Sequence, residues 1–205
     1  LMHPESRSRA DEIRLEAPDE PDIAELARSA EALEGGLVPI LITGEHGDIR
    51  RILLDGIVAA AERFHDRPGK TPTYVGELMA LVEELRSGEH ISDRRVIDAL
   101  VTFADQVEQS SAPGAGVCVM IDELGKLVEW AAIQRSSSDI YLLQLLAEAA
   151  ARSKGGRICV VTTMHQSLDA YAQGLPRRVR NEWAKIGGRF ELIPYLESPR
   201  HLTKL

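Results

Sequence analysis

Two adjacent carboxylates, Asp122 and Glu123, are the side chains in this sequence best placed to do chemistry. They follow an unbroken apolar run, residues 117–121, whose β-branched content and Pro/Gly-rich approach are typical of a buried central strand. Charges at the end of such a strand are costly unless a cation or ligand requires them, and open α/β sheets bind ligands at the carboxyl ends of their strands. In phosphoryl transfer, an Asp holds Mg²⁺ and a second residue orients the attacking water. The pair therefore predicts Asp122 as the metal ligand, through water, and Glu123 as the base. The alternative is structural, because acidic residues also favour the first turn of a helix.

A second apolar run, residues 157–163, ends in polar side chains at a matching depth. Cys159 lies four residues before Thr163, as Cys118 lies four residues before Asp122. A polar residue at this position can contact a γ-phosphate or orient water, and Thr163 is the first candidate. The next candidates for this role are Thr162, His165 and Gln166. The alternative is that these side chains satisfy backbone groups of a loop.

A basic segment stands out in a chain whose net charge is −8. Between Pro176 and Arg189, only Glu182 opposes five cations, which are Arg177, Arg178, Arg180, Lys185 and Arg189. Such an excess suits a phosphate of a nucleotide or of a nucleic acid, including an arginine finger delivered to a neighbouring subunit. The alternative is a solvated helix face with some ion pairs.

Strand and helix patterns alternate along the 205 residues. Apolar runs predict strands at 37–43, 117–121, 157–163 and 189–194, and helical spacing predicts helices at 23–33, 48–64, 74–87, 92–108, 124–134, 140–152, 167–173 and 177–185. This alternation predicts an α/β fold with a mainly parallel central sheet between two helix layers. We expect residues 1–20 to be a flexible arm and residues 21–205 to be one domain, with a helical insert at about 65–110.

Composition excludes several classes of protein. The acidic charge argues against a surface that coats nucleic acid or anionic membranes, and no apolar stretch approaches the roughly 18 residues of a membrane span. The first residues lack an apolar signal-peptide region, and the two cysteines suit a reducing compartment as small apolar fillers. We therefore expect a cytoplasmic protein without membrane association or a Cys/His metal site.

Four segments together resemble a known family. They are Asp-Glu-Leu-Gly-Lys at 122–126, the helix pattern at 139–148, Val-Val-Thr-Thr-Met-His-Gln-Ser at 160–167, and Asn-Glu-Trp-Ala-Lys-Ile-Gly-Gly-Arg-Phe-Glu at 181–191. They are similar to the second half of an AAA+/STAND-like P-loop ATPase of the ASCE class. The large bacterial ATP-binding proteins of phage-defence and mobile-element systems look most similar. The resemblance covers about residues 116–199, and residues 37–64 more loosely.

The resemblance implies a site for ATP and Mg²⁺ in a P-loop NTPase-like domain. Asp122 and Glu123 would form the Walker B pair, Thr163 would lie near the sensor-1 position, and Arg189 would stand in the segment that carries the arginine finger. Further nucleotide contacts would come from Thr162, Gln166 and Arg178. The implied partners are the nucleotide and other domains or subunits of an oligomeric ATPase, with an indirect association with DNA.

The chain departs from the family pattern in the phosphate-binding loop. A P-loop needs Gly-x-x-x-x-Gly-Lys-Ser/Thr, whereas an alignment on Gly44 places Ile49, Arg50 and Arg51 at the last three positions. Ile49 cannot replace a glycine's backbone freedom, and Arg51 has no oxygen for Mg²⁺. Residues 37–64 are then either a degenerate phosphate loop or the next strand–helix unit of an ATPase whose P-loop lies outside this sequence. We favour the second.

Three functions compete. The first is the Walker B part of an ATPase module within a larger or oligomeric motor or switch, in which case this chain alone is inactive. The second is a catalytically inactive P-loop-like domain that serves protein interaction or assembly. The third is a Mg²⁺ enzyme that uses Asp122 and Glu123 without a nucleotide.

Overall fold

A computed structural model describes residues 36–65, 72–133, 137–153 and 157–193. Three strands and seven helices alternate over these ranges. The strands are β1 (Leu37–Thr43), β2 (Gly116–Asp122) and β3 (Ile158–Thr162), and the helices are α1 (Ile49–Phe64), α2 (Thr73–Arg86), α3 (Asp93–Ser110), α4 (Leu124–Ile133), α5 (Ser137–Arg152), α6 (Leu168–Tyr171) and α7 (Arg177–Gly187). The α/β class is confirmed. The predicted arm at 1–20 and the predicted helix at 23–33 lie outside the described residues.

The three strands form one parallel sheet in the order β1-β2-β3. Apolar runs of the expected lengths produce them, and β2 is the central strand, as its sequence predicts. Both crossovers step in the same direction across the sheet, and a right-handed connection then places both sets of helices on the same face. Accordingly, α1 packs on β1, α3 on β2 and α5 on β3.

The core lies between this face of the sheet and the helices. Inward side chains alternate along each strand and include Ile40, Ile42, Val119 and Ile121, all nearly inaccessible to solvent. Helix α1 approaches β1 through Gly56, where an added Cβ would lie 2.8 Å from Cγ1 of Ile42. Glycine therefore sets the distance between this helix and the sheet.

The opposite face of the sheet is open over the described residues. Its central row joins Leu41, Met120 and Val161 in direct register, and these side chains are 59%, 42% and 46% exposed. The unbroken apolar runs predicted strands buried on both faces, and the described residues bury only one. The second helix layer of the expected three-layer arrangement is not among them.

A further difference concerns the segment after α7. The predicted strand at 189–194 is wrong over residues 189–193, which form a turn and an irregular segment after α7. Leu192 and Ile193 there are 72% and 78% exposed, so no neighbouring strand among the described residues pairs with them. The helices predicted at 74–87 and 92–108 are confirmed as α2 and α3. Within the described ranges, no helix combines the length and the apolar character needed to cross a bilayer.

Candidate functional site

Thr163 joins the two acidic residues at the carboxyl edge of the sheet. Its hydroxyl Oγ1 donates to Oδ1 of Asp122 at 2.6 Å and accepts a hydrogen bond from the backbone N–H of Glu123 at 3.0 Å. Its backbone N–H also donates to the carbonyl of Ile121, and its carbonyl accepts from the N–H of Leu124. The end of β3 therefore fixes both the Asp122 carboxylate and the backbone turn that carries Glu123.

Glu123 occupies a left-handed backbone conformation, with φ of 55°, between β2 and α4. This conformation costs a non-glycine residue about 1–2 kcal/mol, and such strain tends to occur at functional sites. It lets α4 begin at Leu124, with only Glu123 between the end of β2 and the helix. The sharp turn holds the Glu123 side chain at the carboxyl edge of the sheet, next to Asp122.

The Glu123 carboxylate is engaged by two neighbouring side chains. Lys126 Nζ donates to Oε2, and Nε2 of His165 lies 3.5 Å from Oε1. The hydrogen bond from Lys126, followed by that from His165, lowers the pKa of Glu123 below its ordinary value. Lys126 and Glu123 therefore form an ion pair at this edge.

The donors at this edge fit Mg²⁺ in one respect. Mg²⁺ prefers hard oxygen ligands and is commonly held by one or two carboxylates together with water and phosphate oxygens. Asp122 offers an exposed carboxylate oriented by Thr163. Among the described residues, no group of three or more His, Cys, Asp or Glu side chains could hold a metal unaided. A metal here would therefore depend on water and on a ligand's oxygens.

The glycine-rich turn after β1 does not fit a phosphate cradle. The N–H of Gly44 donates to the Asp122 carbonyl at 2.6 Å, and an added Cβ would lie 2.1 Å from the Glu123 carbonyl oxygen. Gly44 is therefore required by the close approach of two backbones within the sheet edge. Its N–H is not available to a phosphate.

The two arginines aligned with the P-loop Lys and Ser/Thr are engaged in ion pairs. Nε of Arg50 lies 2.7 Å from Oδ1 of Asp93, at the start of α3, and Arg50 is only 7% exposed. Arg51 contacts Glu45 at 2.9 Å and Asp55 at 3.3 Å. This arrangement supports the interpretation of residues 37–64 as an ordinary strand–helix unit.

The remaining predicted site residues are spread over the structure. Thr162 alternates with Thr163 along β3 and is half-buried on the helix-covered side, whereas Gln166 is exposed in the turn after β3. Nη2 of Arg189 lies 3.0 Å from Oε1 of Glu148, near the end of α5 that leads to the amino end of β3. The structure therefore does not bring Arg189 to the Asp122 edge. Arg178 belongs to α7, and its side chain lies outside the described part.

One pair of rings near the edge was not anticipated from the sequence. His46, in the turn after β1, stacks on Trp130 of α4 with centroids 5.9 Å apart, and its Nε2 lies 3.7 Å from Oε2 of Glu129. Parallel pairing of β1 and β2 brings both turns to the same edge, and this was the signal that could have revealed the contact.

A cavity lies at the opposite end of the sheet from Asp122. It measures about 320 Å³ between α3, α5 and the start of β3. Arg157 on its wall pairs with Asp105 at 2.8 Å and Glu108 at 2.6 Å. Because Arg157 precedes β3, this cavity is separated from Asp122 by the length of a strand.

The comparisons with known proteins identify no relative. No family model matches the chain, and neither a curated protein nor a solved structure matches it.

Proposed function

We propose that this chain is the Walker B part of a Mg²⁺- and ATP-dependent ATPase module. The observation that carries the proposal is the hydrogen-bonded group of Asp122, Glu123 and Thr163 at the carboxyl edge of a parallel sheet. We further propose a cytoplasmic, P-loop NTPase-like, three-layer domain. It would act with nucleotide and with other domains or subunits of an oligomeric ATPase.

Each member of the group has a proposed role. Asp122 would hold Mg²⁺ through water, which neutralises charge on the phosphates. Thr163 would act as a positioning residue. Its hydroxyl already donates a hydrogen bond to Asp122 and accepts one from the backbone N–H of Glu123. Glu123 would orient and polarise the attacking water once its carboxylate leaves Lys126.

The phosphate-wrapping loop must then come from elsewhere. Gly44, Arg50 and Arg51 are committed to contacts within the fold. Over the described residues, β3 pairs with another strand along one side only. We propose that a loop from another part of the same protein, or from a neighbouring subunit, completes the site. A finger from Arg189 or Arg178 would serve a neighbouring subunit.

ATP turnover by the complete protein that carries this chain tests the assignment. Glu123→Gln keeps the side-chain size and removes the base, so we expect turnover to fall about 100-fold or more while nucleotide binding persists. Glu129→Gln, six residues further along, is the matched control, and we expect near wild-type turnover from it. Undiminished turnover in the Glu123 variant would refute the role given to that residue.

The alternative function is an inactive P-loop-like domain used for assembly. The ion pair between Glu123 and Lys126 favours it, since this pair neutralises the carboxylate that a hydrolase would need. Thermal unfolding of the 205-residue chain with millimolar Mg-ATP tests this alternative. A ligand at 100 times its Kd stabilises by about 2.7 kcal/mol, so a rise of several degrees that is absent in Asp122→Asn would exclude a domain that has lost nucleotide binding.

A further inference from the structure

The two cysteines of the sequence lie side by side in the sheet. Cys118 of β2 and Cys159 of β3 are direct register partners, and they are the only cysteines in the chain. The adjacent residues Val117, Val119 and Ile158 are buried under the helices, so both cysteine side chains point to the open face, where they are half-buried. The sequence predicted no Cys/His metal site, because only the parallel pairing of two distant strands brings these thiols together.

A third sulfur atom lies on the same face. Met120 follows Cys118 by two residues on β2, so its side chain projects from the same side of the sheet, and it is 42% exposed. A methionine side chain is unbranched and flexible, so its thioether can turn towards a neighbour on the same strand. Two thiols and one thioether therefore share this part of the open face. Soft sulfur ligands of this kind select Cu(I), Zn²⁺ or iron–sulfur clusters.

The spacing of the two strands distinguishes a bridging metal ion from a disulfide. Neighbouring strands lie about 4.8 Å apart, and direct register partners keep their Cβ atoms at a similar separation. A disulfide needs its Cβ atoms about 3.8 Å apart, so it would have to draw the strands together. Two metal–thiolate bonds of about 2.3 Å, the length found for zinc, place their sulfur atoms up to about 4.6 Å apart. One ion between the sulfurs therefore fits this sheet better than a covalent S–S bond.

The surroundings of Cys118 also disfavour thiol chemistry without a metal. Burial, followed by the neighbouring Cys159 thiol, raises the pKa of Cys118 to about 12. The thiolate is the nucleophile in alkylation and in disulfide exchange, so both reactions of Cys118 should be slow at neutral pH. A metal ion, by contrast, deprotonates the thiols that coordinate it.

The number of ligands narrows the choice of metal. Structural Zn²⁺ is almost always held by four protein ligands, and iron–sulfur clusters are held mainly by sets of four cysteines. Over the described ranges, no group of three or more His, Cys, Asp or Glu side chains could hold a metal. We propose that Cys118, Cys159 and Met120 form a binding site for one Cu(I) ion, with two thiolate ligands and one thioether ligand. This site does not depend on the proposed ATPase function.

Competition with the chromophoric Cu(I) chelator bicinchoninate tests the site in the reduced 205-residue chain, without oxygen. We expect the chain to withdraw one Cu(I) ion from the chelator. Cys118→Ser and Cys159→Ser each remove a thiolate and should each lower the affinity about 100-fold or more, and Met120→Leu should lower it about ten-fold. Met79→Leu is the matched control and should leave the affinity unchanged. Met79 is 47% exposed, but it lies on α2, which packs against α1 on the helix-covered side of the sheet.

The circular dichroism spectrum and the urea midpoint show whether each variant remains folded. Wild-type affinity in a folded Cys118→Ser or Cys159→Ser chain would overturn the proposal, and so would a wild-type chain that withdraws no Cu(I). Equal effects of Met120→Leu and Met79→Leu would contradict the thioether ligand.

Oxidation with glutathione disulfide tests the spacing argument without any metal. We expect both thiols of the metal-free chain to persist, as counted with a chromogenic thiol reagent after unfolding in urea. Rapid loss of both thiols, with an intramolecular disulfide between Cys118 and Cys159 detected by mass spectrometry, would identify a redox pair. That result would overturn the assignment of a metal site.

Discussion

At the scale of single residues, the carboxyl edge is organised by one hydroxyl and one ammonium group. Thr163 fixes the positions of Asp122 and Glu123, and Lys126 fixes the charge state of Glu123. Glu123 is thereby held ionised in a strained backbone conformation. Its carboxylate lies at the exposed edge of the sheet and is held there by Lys126 of the following helix, α4.

Removing Lys126 should change the titration of Glu123. Lys126→Met deletes the largest cause of its lowered pKa, so we expect that pKa to rise towards the ordinary value of 4.5. Because the folded-state pKa is depressed, the stability contributed by the pair exists above pH 4.5 and is lost as the pH falls through the lower folded value. The stability difference between the wild type and the variant should therefore shrink in acid. NMR titration of the glutamate side-chain carbons measures the shift.

Lys126→Arg serves as the matched control, since it keeps both the charge and a donor. A Glu123 titration curve that Lys126→Met leaves unchanged would show that the ion pair does not form in solution.

At the scale of elements, close backbone approaches determine how β1 and α1 are positioned. Gly44 allows the turn after β1 to lie against the Glu123 carbonyl, and Gly56 allows α1 to lie against Ile42. The buried Arg50–Asp93 pair then joins the start of α1 to the start of α3. These contacts hold the neighbours of the site in place without taking part in its chemistry.

Replacing Gly44 should strongly destabilise the fold. In Gly44→Ala, the Cβ would lie 2.1 Å from a backbone oxygen, and no side-chain rotation can relieve that contact. We expect a loss of about 3 kcal/mol or more in the free energy of unfolding. Gly76→Ala is the control, because nothing lies within 4 Å of its added Cβ. This helical position should gain about 0.5–1 kcal/mol. Urea unfolding measures both, and equal effects would contradict the assigned contact.

The Arg50–Asp93 pair should behave as a buried ion pair. Arg50→Leu leaves the Asp93 carboxylate nearly buried beside an apolar side chain, so we expect a loss of about 3–5 kcal/mol in the free energy of unfolding. Adding Asp93→Leu should restore much of that loss, since two apolar groups can replace a buried pair at little cost. A double-mutant cycle by urea unfolding yields the coupling energy. Purely additive effects would indicate that the two charges do not interact.

At the scale of the whole molecule, the sequence predicted three strands closely, a fourth wrongly, and the contacts poorly. Strands at 37–43, 117–121 and 157–163 were recognisable because long apolar runs have few alternative structures. The open face was not, because a run that is apolar at every position looks the same whether one or both sides are covered. The Lys126–Glu123 contact could not be predicted from the sequence either. Acidic residues three and four positions away from Lys126 along the chain compete to pair with its ammonium group.

Hydrogen exchange tests the proposed continuation of the sheet in a larger protein. Parallel strands direct alternate N–H groups to opposite sides, and among the described residues only β2 has a neighbour on both sides. In the 205-residue chain we therefore expect slow exchange all along β2 and alternating slow and fast amides along β1 and β3. The proposed larger protein could supply the phosphate-binding unit as a strand next to β3. In that case the fast-exchanging amides of β3 should become slow, while those of β1 stay fast. NMR or mass spectrometry measures both patterns, and uniform protection of β3 in this chain would mean that its outer edge is already covered.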